Sequence, residues 1–278
     1  MYLAHFGLSE LPFSLTPDPG YFFRYAGHQE ALNVLLVALQ SGEGFVKITG
    51  EVGTGKTLLC RTLLDVLDDQ YVTAYLPNPL LEPCDLYRAV AAELGLAELQ
   101  WDDPHGLLKR IVTYLLKVAE SGRRVVLCID EAQSMSDASL EAVRLLSNVE
   151  TAKRKLLQIV LFGQPELDER LAGRGLRQLR QRLAFSHRLA PFGLKSTCGY
   201  VVHRLQIAGC DKPLFSRAAL KTLHRCSGGI PRLINVIGHK ALLATYGRGA
   251  ELAGRPQVVA AARDTEGVRC SLLDWSPF

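Results

Sequence analysis

The sequence predicts an α/β fold: a P-loop nucleotide-binding architecture with a five-stranded parallel sheet flanked by helices, followed by a small all-helical domain. Three observations carry this. Gly50-Glu51-Val52-Gly53-Thr54-Gly55-Lys56-Thr57 is a complete phosphate-binding loop. Short apolar runs alternate with helical patterns from about residue 28 to residue 189, the order in which strands of a parallel sheet are joined by crossover helices. From about Phe192 onward only helical patterns remain.

A leading aromatic and proline-rich segment, Phe13 to Phe23, precedes a helix from about His28 to Gln40. Phe45-Val46-Lys47-Ile48-Thr49 reads as a short buried strand, and Leu58 to Leu64 returns apolar residues at helical spacing, so the loop lies between strand and helix. Tyr71 to Leu76 gives a second strand, and Asp85 to Leu94 and Leu107 to Ala119 give helices with apolar faces. Val125 to Ile129 is a third strand, continuously apolar as a doubly buried strand should be. Asp137, or Ser136 before it, caps a helix to about Ser147. Leu156 to Phe162 forms a fourth strand, short helices start at Glu166 and Leu176, and Ala184 to Leu189 suits a fifth. The helical region spans Ser196 to Ala208, Ser216 to Cys226, Pro231 to Tyr246 and Pro256 to Arg263. The expected division is an α/β domain over 1–192 with the leading segment included, a helical domain over 193–265, and a tail over 266–278. That tail reads either as a frayed end or as a partner-docking peptide.

With 278 residues, 48% hydrophobic and 22% charged, the chain is long and apolar enough for one large core and one small one. Its formal net charge of +4 is compatible with nucleic acid or an anionic membrane but is far from a basic-tail signature. Seven cysteines, at 60, 84, 128, 198, 210, 226 and 270, include no Cys-x-x-Cys pair. This argues against a disulfide framework or a zinc site and for a reducing cytoplasm. The start lacks a basic n-region and no window is apolar enough to span a membrane, so membrane association is expected through a partner.

Glycines at 50, 53 and 55 let the backbone wrap a polyphosphate, with N–H groups and the positive end of the next helix facing the anion. Gly50, Glu51, Val52, Gly53, Thr54, Gly55, Lys56, Thr57 and Leu58 are therefore the expected ATP-binding run. Lys56 would reach the β- and γ-phosphates and Thr57 would hold Mg²⁺. The third strand ends in Asp130-Glu131. Asp130 is expected to support Mg²⁺ through its water shell, and Glu131 to polarise the attacking water as general base; the plainer reading of two such acids is a solvated strand end.

Four further positions carry paired readings. Gln164, after the fourth strand, either helps orient water or starts a turn with Pro165. Asn78, beyond the second strand, either restrains Glu131 through a hydrogen bond or forms an ordinary Asn-Pro turn. In Gly228-Gly229-Ile230-Pro231-Arg232 the glycines permit a sharp reversal and Pro231 suits a helix start. Arg232 then opposes the helix dipole, which points to an outside anion such as a γ-phosphate, the alternative being a solvated arginine. Leu176 to Arg182 carries several guanidiniums; one, Arg182 ahead of Arg180, would serve as a finger to a neighbouring subunit's nucleotide, unless the run is a solvated face.

Taken in order, these features resemble AAA+ ATPases. Phe13 to Pro19, Asp130-Glu131-Ala132-Gln133, Arg144 to Thr151, Phe162 to Leu167, Leu176 to Arg182 and Ser227 to Asn235 look like the ExeA/GspA branch, whose members serve type II secretion and type IV pilus assembly. The resemblance covers about residues 1–265 and implies that Lys56 and Thr57 belong to Walker A, Asp130 and Glu131 to Walker B, Gln164 to sensor 1 and Arg232 to sensor 2, with Asn78 as glutamate switch. It also implies ATP hydrolysis with Mg²⁺, homo-oligomerisation on ATP binding, a nucleotide between sheet domain and lid, and an inner-membrane pilus or secretion partner. Longer members add a transmembrane and a peptidoglycan-binding region, so this chain looks most like the short members tied to the mannose-sensitive haemagglutinin pilus. A transposition-type AAA+ regulator assembling on DNA shares much of this core and is the alternative.

Overall fold

A computed structural model describes residues 2–23, 25–96, 104–150 and 154–268; the last ten residues of the expected tail lie outside the described residues. The strands are β1 Phe45–Gly50, β2 Tyr71–Leu76, β3 Arg124–Ile129, β4 Leu157–Gly163 and β5 Leu183–Leu189. The helices are α1 Tyr2–Phe6, α2 Ala26–Gln40, α3 Lys56–Val66, α4 Pro83–Glu93, α5 Pro104–Glu120, α6 Asp137–Leu146, α7 Pro165–Ala172, α8 Arg177–Arg182, α9 Leu194–Ile207, α10 Arg217–Ser227, α11 Pro231–Tyr246 and α12 Arg255–Arg263. They form two compact units, one of Ala26–Gly50 and Lys56–Leu189, the other of Met1–Tyr25, Glu51–Gly55 and Ala190–Phe278.

In the first unit, five strands among the described residues make one sheet in the order β2-β3-β4-β1-β5, every neighbouring pair parallel. β1 and β4 are buried throughout, which is why their sequences carry almost unbroken apolar runs. The buried lysine in β1, Lys47, pairs with Asp168 of α7, and Thr49 adds a 2.9 Å hydrogen bond to the same carboxylate. Helix α2 buries Ala31, Leu32, Leu35, Ala38 and Leu39, a stripe at helical spacing. Ser136 caps α6 by accepting the Ser139 N–H at 3.1 Å.

This strand order decides where chemistry can sit. From β1 the chain crosses to β2 at one edge and returns through β3 to β4; from β4 it passes to β5 on the other side of β1. Adjacent strands β1 and β4 thus feed connections in opposite directions, and the crevice beyond their carboxyl ends is the expected ligand position in a sheet of this type. Register pairs Thr49 with Gly163 and Ile129 with Leu161, so the residues that follow β1, β3 and β4 emerge at one edge of the sheet.

In the second unit, α9 to α12 pack around Val201, Leu205, Leu223, Ile234, Ile237, Leu242 and Val258. The leading segment belongs here, which corrects its expected place with the sheet domain. Tyr2, Phe6, Leu8 and Phe13 are buried in this core, and the Phe13 ring lies against the surface of α11 left open by Gly238. Buried Arg204 donates to the Pro12 carbonyl and sits 4.3 Å from the centre of the Tyr21 ring. Aromatic burial this far apart in sequence has no local periodicity, so the helical pattern alone gave no sign of it. Among the described residues Cys60, Cys84, Cys128, Cys198 and Cys210 are free thiols.

Candidate nucleotide-binding site

Gly53 and Gly55 have φ of +80° and +98°, the left-handed backbone that a phosphate-wrapping loop needs and that side chains resist. Lys56 begins α3 and is only 5% exposed, and its Nζ donates to the Gly50 carbonyl at 2.8 Å. An ammonium held there stays beside the backbone that must curl around a phosphate. One residue on, the Thr57 hydroxyl donates to Asp130 Oδ2 at 2.6 Å, the short range of a charge-assisted bond. A hydroxyl and a buried carboxylate meeting on one side offer hard oxygen donors, the set that suits Mg²⁺. The residues present therefore fit a Mg²⁺-nucleotide.

Glu131 follows Asp130 with φ 50° and ψ 36°, and among the described residues it is the one non-glycine residue at positive φ. This left-handed conformation costs an ordinary residue roughly 1–2 kcal/mol, and such strain concentrates where function holds a side chain in place. Three hydrogen bonds fix the turn: the Glu131 N–H donates to Asp130 Oδ1 at 2.9 Å, and the Ser134 N–H and hydroxyl each reach the Glu131 carbonyl at 2.8 Å. The Glu131 carboxylate accepts from Gln164 Nε2 at 3.1 Å. Gln164 is also the residue that precedes α7, with Pro165 at the opening position, so a helix starts where an ordinary turn was the alternative reading. Asn78 is exposed and makes no hydrogen bond among the described residues. Sequence reasoning missed Gln133, whose amide also donates to Glu131; its signal was the run Asp130-Glu131-Ala132-Gln133 itself.

In the helical unit, the turn at Gly228 and Gly229 has φ of +59° and +75° and delivers Pro231 to the start of α11. The Arg232 N–H donates to the Gly53 carbonyl at 3.2 Å. A side chain at Gly53 would place its Cβ 2.5 Å from Arg232 Cβ, so glycine is required by close approach as well as by φ. The Arg232 side chain is exposed and makes no hydrogen bond or ion pair among the described residues. Of the two finger candidates, Arg182 donates to Ser147 Oγ at 3.0 Å, while Arg180 is exposed and has no such partner among the described residues.

Burial pushes the Asp130 carboxyl above its ordinary value of 3.8, against the lowering effect of the Thr57 hydroxyl, the Glu131 N–H and the Lys56 charge. The folded state then binds the proton more tightly than the unfolded chain, so folding stability falls as pH rises through this window. Asp130→Asn removes the buried charge. In thermal melts without Mg²⁺ it should be at least as stable as the parent at pH 7, with any gain gone once the pH falls below about 3.8. A variant less stable than the parent at pH 7 would show that the hydrogen bonds outweigh the burial.

Residues 39–171 match the family described as AAA domain. General secretion pathway protein A of Aeromonas hydrophila is 45% identical over 272 residues, which covers 97% of this chain and 49% of that protein. The chain thus spans about half the length of this curated relative. Cdc6p from Pyrobaculum aerophilum superposes with a TM-score of 0.73 at 17% identity, covering 91% of this chain and 70% of that one. The Aeropyrum pernix ORC2 protein, solved in ADPNP–ADP complexes, gives 0.69 at 16% identity, covering 92% and 72%. At such identities the structural likeness speaks for the fold alone. Residues 39–171 are thus similar to AAA domains, in a P-loop fold, and the chain is similar to general secretion pathway protein A over nearly all of its own length.

Proposed function

We propose that this chain hydrolyses ATP with Mg²⁺ and uses the cycle to drive or regulate assembly of a type II secretion or type IV pilus complex at the inner membrane. The observation that carries the chemical half is the convergence of Lys56, the Thr57–Asp130 pair and Glu131 beyond the carboxyl ends of β1 and β3. When bound, nucleotide and Mg²⁺ supply the phosphoanhydride to be cleaved and the charge that gathers its oxygens. Lys56 holds the β- and γ-phosphates, Thr57 and Asp130 hold the metal and its water, and Glu131 takes the proton of the attacking water. Gln164 orients that water and Arg232 answers the γ-phosphate. Asn78 has its proposed role as glutamate switch only in a state that brings it to Glu131. ATP binding brings copies of the chain together so that Arg182 or Arg180 of one completes the site of the next.

The cellular half rests on the 45% identity to general secretion pathway protein A. Among the described residues no helix is long and apolar enough to cross a membrane, which suits a cytoplasmic chain brought to the inner membrane by a partner. A finer form of the reading is service to a mannose-sensitive haemagglutinin pilus, in the manner of MshM. Two measurements test the proposal together. The purified protein should release phosphate from ATP only with Mg²⁺, and mixing Lys56→Ala with a finger variant, Arg180→Ala or Arg182→Ala, should restore part of the activity each lacks alone. In cells with the assembly genes, Glu131→Gln should collect at the membrane while Lys56→Ala stays in the soluble fraction. Unchanged membrane recovery after deleting those genes, with hydrolysis strongly raised by DNA in a salt-sensitive way, would replace the assembly role with the DNA-bound one.

A further inference from the structure

Gln133 lies on a short 3₁₀ turn, Ala132–Ser134, immediately after Glu131. Its Nε2 donates to Glu131 Oε2 at 2.5 Å and its Oε1 accepts the Gln164 N–H at 3.0 Å. Gln164 Nε2 donates to the same Glu131 Oε2, so three side chains and one backbone group close a ring. The amide orientation follows from its partners: the reverse would set oxygen against carboxylate and N–H against N–H. The turn itself is pinned by Arg170, which donates to the Gln133 carbonyl at 2.8 Å, to the Met135 carbonyl at 2.6 Å and to the Asp137 carboxylate. On the far side, Gly163 makes room: a Cβ there would lie 2.7 Å from Leu167 Cδ2 and 3.4 Å from Gln133 Oε1.

We propose that Gln133 is the positioning residue that sets the plane of the Glu131 carboxylate for water activation. This rests on the reading of Glu131 as the general base. A glutamate carboxylate turns easily about its last torsion, which is broad and nearly two-fold. Both donors converge on Oε2, and Oε1 takes no hydrogen bond among the described residues. The clamp therefore fixes the plane and leaves the lone pairs of Oε1 to accept a proton from water. Because Gln133 also holds the backbone N–H at the start of α7, it ties the base to the end of β4, where Gln164 stands.

The test uses Gln133→Met, which keeps the side chain's length and removes both hydrogen-bonding groups, and Gln133→Glu, which keeps the acceptor for the Gln164 N–H and loses the donor. Each should lower kcat by about 10–100-fold, the loss usual for a group that orients a working residue. KM for ATP and the affinity for a fluorescent ADP should change by less than about threefold, which also shows that the site has folded. In a Glu131→Gln background, followed over long incubations, either change should have little further effect, because its route to the reaction is already closed. Turnover within about twofold of the parent, parallel loss of ADP affinity, or losses that multiply in the double variant would each overturn the positioning role. If instead Glu131→Gln alone kept the parent's turnover, the general-base reading itself would fall, whatever Gln133 does.

Discussion

Glu131→Gln should retain ATP binding and lose about 10²–10⁴-fold in kcat, the range that a positioned general base contributes. That corresponds to roughly 3–5 kcal/mol of lost transition-state stabilisation. The reason is chemical and local. Replacing a carboxylate oxygen by an amide removes the proton acceptor and little else, since the left-handed turn at Glu131 is held by backbone and Ser134 contacts that the substitution leaves in place. Binding survives because Lys56 and Thr57 make their contacts through Gly50 and Asp130. Lys56→Ala should do the opposite, weakening ATP affinity at the outset. Phosphate release and fluorescent-nucleotide titration on the two variants separate these outcomes. Steady-state turnover of Glu131→Gln at the parent's rate would remove Glu131 as the base.

How much of this was legible in the sequence depends on the range of the interaction. The strands were readable because β1, β3 and β4 are buried on both faces, so burial writes itself as an unbroken apolar run. Helix limits near Ser136, Ser216 and Pro231 were readable because capping is a one-turn affair, and the Ser216 side chain does accept the Ala219 N–H at 3.1 Å. Helix α1 was not, because five residues are too few to display a period. Nor was the destination of the leading aromatics. Phe23 meets Phe192, Tyr200 and His203 at centroid distances of 5.2–6.0 Å, contacts spanning most of the chain. Within the site, the loop and the acidic pair carry their chemistry in residue order, whereas the Gln133–Glu131–Gln164 ring joins two strand ends that only the sheet brings together.

Gly229→Ala should be the most damaging single methyl in the helical unit. At φ +75° an alanine is strained by roughly 1–2 kcal/mol before any contact is counted. Its Cβ would also stand 2.0 Å from the Phe192 carbonyl oxygen and 3.0 Å from the Phe192 backbone carbon and nitrogen. These are main-chain atoms and cannot swing aside. Moving them would strain the 2.8 Å bond from the Phe192 N–H to the Gly229 carbonyl and disturb a ring packed against Phe23, Tyr25 and Tyr200. Strain, overpacking and a weakened hydrogen bond together suggest a loss of about 3–5 kcal/mol. Gly228 is the internal control. It caps α10 at φ +59° but has nothing within 4 Å of a Cβ, so Gly228→Ala should cost only about 1–2 kcal/mol, and Gly228→Asn less. Urea unfolding of the three variants reads the difference directly, and equal midpoints for Gly228→Ala and Gly229→Ala would refute the close-approach argument. Because the same turn leads into α11, whose Arg232 N–H meets the Gly53 carbonyl, the fraction of Gly229→Ala that folds should also bind fluorescent ADP more weakly than Gly228→Ala does. Matched affinities would mean that the turn supports the helical core without setting the loop.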